Sequence, residues 1–152
     1  MKTLELNVLP LKGLGDLYFG MPMEEMSAIM GEADEIEDIV DDDDFNTTVL
    51  NYSDAGISIF FEGVDAPVLS CLEVDNKNCE LFGKKIFEMN QAELVAHVKE
   101  NGLDDLDVEE EEWGEKRISF EDGLIDFYFS GDELTTINWG VLVNEEGEVE
   151  DL

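Results

Sequence analysis

Two stretches of the chain alternate apolar and polar residues with a period of two: ISIFFE (Ile57–Glu62) and IDFYFS (Ile125–Ser130). That period belongs to a strand buried on one face and open on the other. Ile57, Ile59 and Phe61 are expected to face a core, with Ser58, Phe60 and Glu62 turned away from it. In the second stretch Ile125, Phe127 and Phe129 take the inward positions, and Asp126, Tyr128 and Ser130 the outward ones. The two belong to a longer internal repeat, because YSDAGISIFFEG (Tyr52–Gly63) aligns without gaps on FEDGLIDFYFSG (Phe120–Gly131). Val49, Leu50 and Tyr52 lead into the first turn. A further strand is predicted after each repeat, over Val68–Asp75 and Leu134–Leu142.

A period of 3.6 replaces the period of two upstream of each repeat. Met23, Met26, Ile29 and Met30 form one helical stripe, opened by Pro22 and closed by Gly31. Leu94, Val95 and Val98 form the second. Asn90 and Glu93 stand at capping-box spacing before it, and Asn101-Gly102 ends it. Lys84–Phe87, ahead of Asn90, reads as a short strand or an extra turn. The pattern therefore predicts an α+β fold: a tandem duplication of a helix followed by a three-stranded antiparallel meander. Residues 1–76 and 77–152 are the expected halves, each about 70 residues long.

Charge changes the picture most. Forty Asp and Glu against eight Lys and Arg give 8 − 40 = −32, while 43% of residues are apolar and include nine Phe. That apolar content argues for a packed core and against disorder. The charge excludes nucleic acid and anionic membranes as partners, since both require a basic footprint. It favours a basic protein. No apolar run reaches the ~18 residues of a membrane span and no signal peptide is visible, so a cytoplasmic protein is expected. Cys71 and Cys79 are then expected to be reduced, although a hairpin disulfide at this spacing is geometrically possible in another compartment.

The acids are clustered. Nine of the thirteen residues from Glu32 to Asp44 are acidic, as are eight of the twelve from Asp104 to Glu115, and a third cluster spans Glu145–Asp151. The first two runs fall at equivalent places, between helix and hairpin, and are read as loops. Solvated loops are the usual fate of such runs; their recurrence suggests two acidic loops whose fields add.

The segment LYFGMPMEEMSAIMGEADEIE (Leu17–Glu37) resembles the signature of the SmpA/OmlA (BamE-type) domains, through Gly20, Met21, Glu25, Met26, Gly31 and Asp34. Ala33 stands where proline is usual. The same architecture, doubled, is that of the β-lactamase inhibitory protein family. The resemblance implies paired helix–sheet units whose sheet face serves as a protein-binding surface. There is no lipidation cysteine, so outer-membrane assembly is not implied. KKIFEMNQAELVAHVKENG and ISFEDGLIDFYFSGDELTTINWG also resemble, more loosely, the immunity proteins of bacterial polymorphic toxin systems.

Catalytic chemistry finds no motif. His97, the single histidine, lies among helix positions with no Ser or Cys partner. Gly13–Asp16 (GLGD) does not continue into a dinucleotide fingerprint, because Tyr18 occupies the third glycine position. An EF-hand started at Asp42 would put Thr47 at the glycine position and Ser53 at the bidentate glutamate position. Two cysteines without clustered histidines make no zinc site. No carboxylate pair stands out as an acid–base couple. No catalytic residue, metal or cofactor is therefore assigned.

The expected function is that of a non-enzymatic acidic binding module, an immunity or inhibitor protein that neutralises a basic toxin such as a nuclease. Asp41, Asp42, Asp43, Asp44, Glu109, Glu110, Glu111 and Glu112 would steer the partner. Asp126 would sit within the contact surface, with Phe60, Trp113 and Tyr128 as anchors. The alternative is a divalent-cation-binding or salt-adapted housekeeping domain.

Overall fold

The computed structural model describes residues 6–40, 46–53, 55–63, 67–110 and 114–141. The chain opens with three short strands, β1 (Asn7–Leu9), β2 (Gly13–Leu14) and β3 (Leu17–Tyr18), followed by helix α1 (Met23–Met30). Four strands come next: β4 (Glu35–Val40), β5 (Asn46–Tyr52), β6 (Ile57–Gly63) and β7 (Val68–Val74). The second half begins with β8 (Glu80–Leu81), β9 (Lys84–Lys85), a 3-10 turn over Ile86–Glu88 and helix α2 (Gln91–Glu100). It ends with β10 (Leu106–Glu110), β11 (Glu115–Phe120), β12 (Ile125–Ser130) and β13 (Glu133–Gly140).

These strands build two sheets. The larger has the order β10-β11-β12-β13-β7-β6-β5-β4 and is antiparallel throughout. The smaller has the order β3-β2-β1-β8-β9 and joins the two halves through the parallel pair β1–β8, where Val8 faces Leu81. The molecule is therefore mostly β, and the expected α+β repeat of a helix plus a three-stranded meander is incorrect. Two physical reasons account for the error. The acidic runs read as loops contain strands: Glu35-Ile36-Glu37 and Leu106-Asp107-Val108 alternate, and both segments pair along their length. The meanders also fuse, since β7 pairs with β13 through Ile137–Val74 and Trp139–Leu72.

Both helices lie where their stripes and punctuation predict. Pro22 enters α1 in an extended conformation, and Gly31, at φ 78°, ends it in a region that suits a residue without a Cβ. The Tyr52 hydroxyl donates to the Gly31 carbonyl (2.9 Å), tying that helix end to β5. In α2 the Glu93 N–H donates to Asn90 Oδ1 (2.9 Å) and the Asn90 N–H to Glu93 Oε1 (3.2 Å). This reciprocal cap is worth about 1 kcal/mol.

One core cluster unites all these layers. Met26 of α1, Leu94 and Val98 of α2, and Val8, Leu14 and Leu17 of the small sheet pack with Ile59, Phe61, Phe127, Phe129 and Trp139. The last five are inward residues of the large sheet, so both helices and the small sheet share one of its faces. β6 reads buried and half-buried in strict alternation, as its sequence requires.

Candidate functional site

Four of the predicted contact residues, Phe60, Glu109, Asp126 and Tyr128, share the other face of the large sheet. The pairing register lines up one polar row across all eight strands: Glu35, Asn51, Ser58, Glu73, Asn138, Asp126, Ser119 and Asp107. Flanking rows add Glu37, Val49, Phe60 and Cys71 on one side. On the other side they add Thr136, Tyr128, Arg117 and Glu109. Phe60, Tyr128 and Asp126 are half-buried and stand outside the core cluster.

Phe60 and Tyr128 hold their places by the same device. The ladder shifts register between Phe60 and Phe61 and, at the repeat-matched site, between Tyr128 and Phe129. The residue left over on the neighbouring strand is Ser70 in one case and Thr135 in the other. Ser70 Oγ donates to the Phe60 carbonyl (3.4 Å) and Thr135 Oγ1 to the Tyr128 carbonyl (3.0 Å). A bulge raises local twist and re-aims side chains; here each bulge is pinned to the carbonyl of an outward aromatic.

The electrostatics of this face are recorded by the groups it surrounds. Cys71, at its centre, donates to Asn138 Oδ1 (3.3 Å), yet its thiol pKa is pushed up to about 12. Burial is the main cause, and the carboxylates of Glu62, Glu73 and Asp126 add to it. Burial likewise raises the Tyr128 hydroxyl, with Asp126 and Glu73 reinforcing the shift and Arg117 opposing it. Arg117, half-buried and paired with Glu109, is the one cation on these outward rows among the described residues. Two hollows share Glu73 and Thr136 as a common wall. One, of about 390 Å³, is lined by Glu35, Asn51, Ser58 and Asp75, and the other, of about 270 Å³, by Tyr128, Glu115 and Lys116.

The other predicted residues are distributed differently. Glu109 and Glu110 are exposed on β10, a strand at the sheet edge and not a loop. Glu109 shares the outward face; Glu110 points to the opposite side, near Lys116 (3.7 Å). Asp41, Asp42, Asp43, Asp44, Glu111, Glu112 and Trp113 lie outside the described residues. Sequence reasoning missed Glu62, Glu73, Asn138 and Cys71 as members of this surface. Alternation along β6 turned Glu62 outward, whereas Cys71, Glu73 and Asn138 take the outward side in the burial patterns of β7 and β13. The pairing of β7 with β13, which places Glu73 beside Asn138 and two strands from Asp126, was the missing step.

The histidine and the second cysteine lie in the interior, away from this face. His97 is buried, with Nε2 2.7 Å from the Leu81 carbonyl and its ring edge-on to Phe82. Cys79 is buried and its thiol is pushed up to about 12, chiefly by burial and then by Asp75. Both cysteines are free thiols. Among the described residues no three His, Cys, Asp or Glu side chains converge as metal ligands. Among the same residues no helix is long and apolar enough to cross a membrane.

No protein-family model matches the chain, and no curated protein matches it. Among solved structures it is similar to an extracellular protein containing a SCP domain from Bacillus anthracis str. Ames, at 14% identity and a TM-score of 0.43. The match covers 78% of this chain and 42% of that one, so the chain spans less than half the length of that protein. A likeness of this degree decides neither fold nor function.

Proposed function

We propose that the chain is a non-enzymatic binding module for a basic protein, with the outward face of the eight-stranded sheet as its docking surface. The observation that carries this reading is a ratio of charges around two aromatics. Glu37, Glu62, Glu73, Asp107, Glu109 and Asp126 surround Phe60 and Tyr128 on the outward rows; among the described residues Arg117 is the one cation on those rows, and Lys116 lines the smaller hollow beside Tyr128. Half-buried aromatics ringed by like charges supply anchors at the centre and steering at the rim.

The partner class is a protein with a cationic groove, as a nuclease toxin has, and the role is that of an immunity or inhibitor protein occluding the groove. An acidic plug raises the encounter rate with such a groove and competes with its anionic substrate. We place this action in the cytoplasm, where Cys71 and Cys79 remain thiols.

The test is charge reversal read by kinetics on the partner captured from the native cell. Glu73→Lys with Asp126→Lys is expected to slow association by at least about tenfold, and raising salt from about 0.05 to about 0.5 M to slow the natural chain comparably. A rate indifferent to both changes refutes the reading.

A further inference from the structure

The large sheet ends in two terminal strands, β10 and β4, and the first of them borders a hollow beside α2. β10 forms one end of the eight-stranded order and pairs with β11 alone among the described residues. The Glu121 N–H donates to the Asp105 carbonyl (3.0 Å), which fixes the phase of this ladder. Bonded pairs alternate in an antiparallel ladder, so Asp107–Ser119 and Glu109–Arg117 exchange bonds, and the Val108 N–H and C=O point to the open edge. The Leu106 N–H, equally off the ladder, is taken by the Asp104 carbonyl (2.9 Å).

The two sides of this edge differ in chemistry. Outward, Asp107 and Glu109 present carboxylates. Inward, Val108 is 48% exposed above a hollow of about 720 Å³ between β10 and α2, floored by Ala92, Val95, Ala96 and Ile118. Lys99 and Lys116 also line that hollow. We infer that β10 accepts, as an added strand, an extended segment of a partner in which basic and apolar residues alternate. Its backbone takes up the Val108 amide and carbonyl, its apolar side chains enter the α2 hollow, and its basic side chains meet Asp107 and Glu109. The parity follows from the apolar floor, which suits apolar side chains, and from Asp107 and Glu109, which draw the cations to the outward side; within the hollow Lys116 is paired with Glu110 (3.7 Å), and Asp132 lines it together with Lys99.

A second copy of this chain is the wrong occupant. Pairing β10 with itself would bring Asp107 and Glu109 against their own counterparts, and like charges across a ladder are destabilising. Acids on an edge strand protect it from self-association but attract a basic strand. This inference shares Asp107 and Glu109 with the face but depends on the edge amide and carbonyl of Val108 and on the α2 hollow, so each can fail without the other.

The test is an NMR titration of the full chain with a synthetic peptide of about nine residues alternating Lys and Val. A peptide of the same composition, with the lysines and valines in separate blocks, serves as the control. The expected result is perturbation centred on residues 106–110 and the facing side of α2, with the alternating peptide bound at least about tenfold more tightly than the blocked one. Val108→Pro removes the edge N–H and should abolish that preference. If this variant unfolds, Asp107→Lys, which leaves the backbone intact, should weaken the alternating peptide several-fold. Equal binding of the two peptides overturns the inference. So does perturbation confined to the Phe60–Tyr128 face, a result that would leave the face reading standing. Sedimentation of the free chain as a dimer through β10 also overturns it, since the edge would then belong to a second copy.

Discussion

The indole N–H of Trp139 donates to the main-chain carbonyl of Gly13 across 2.9 Å, joining residues 126 positions apart inside the core. Trp139 belongs to β13 in the large sheet and Gly13 to β2 in the small one, so this bond locks the two sheets together. A buried indole needs a partner for its N–H, and the acceptor left behind by a Phe is equally unsatisfied. Trp139→Phe is expected to lose about 2–4 kcal/mol of stability, combining the orphaned carbonyl with the volume lost. Urea unfolding measures it. A loss below about 1 kcal/mol would mean that the Gly13 carbonyl finds another donor.

Gly140 makes the second critical contact, at the seam between the two meanders. It faces Cys71 across β13–β7, and a Cβ there would stand 2.5 Å from the Ser70 carbonyl oxygen and 3.2 Å from the Cys71 Cα. The obstacle is backbone, which cannot swing aside as a side chain does. Beside it the Val141 N–H donates to that same Ser70 oxygen (2.8 Å). Gly140→Ala should destabilise the chain by about 1–3 kcal/mol and raise amide exchange at Val141 more than at β5. A neutral substitution would show that the seam has slack.

How far the sequence carries can be read from these residues. Ile57–Gly63 and Ile125–Ser130 are strands because alternation is a local signal, and α1 and α2 are bounded by Gly31 and Asn90 because punctuation is local too. β4 and β10 escaped because acid density hid a valid alternation: Ile36 and Val108 occupy inward positions between carboxylates and remain exposed at the sheet edges. What local pattern does not encode is partnership between distant strands. The parallel pair β1–β8, the seam β7–β13 and the Trp139–Gly13 bond depend on how the two halves meet. The outward face was therefore legible one strand at a time: Phe60, Asp126 and Tyr128 had been assigned to it, whereas their meeting with Glu73 and Cys71 had not.

Alkaline pH offers a test of the buried thiols. Cys71 and Cys79 rise from an ordinary value of 9.0 to about 12, and Tyr52 and Tyr128 also shift upward, all with burial as the leading cause. The unfolded chain then gives up protons that the folded chain keeps, so stability is intact below pH 9 and declines as pH climbs toward 12. The expected loss is about 2–3 kcal/mol per thiol by pH 11. Cys71→Ala should remove its share of the slope between pH 9 and 11, as denaturant titration at several pH values would reveal. An unchanged slope would mean that the Cys71 thiolate is tolerated among Glu62, Glu73 and Asp126.

Adjacent phenylalanines on β6 separate the roles of the two faces. Phe61 is fully buried in the shared core, whereas Phe60, next to it, is half-buried on the outward side. Phe129 and Tyr128 form the matching pair on β12. Phe61→Ala or Phe129→Ala should cost about 3–5 kcal/mol, because each empties a packed cavity. Phe60→Ala and Tyr128→Ala should cost about 1 kcal/mol each, as only part of each ring is removed from water. The double variant Phe60→Ala/Tyr128→Ala should still unfold cooperatively while losing at least about 2 kcal/mol of affinity for the basic partner, the scale of an anchor removed from an interface centre. Thermal melts and a binding isotherm on the same preparations decide between the roles. If Phe60→Ala proves as costly to folding as Phe61→Ala, the outward aromatics are a second packing layer and the docking surface lies elsewhere.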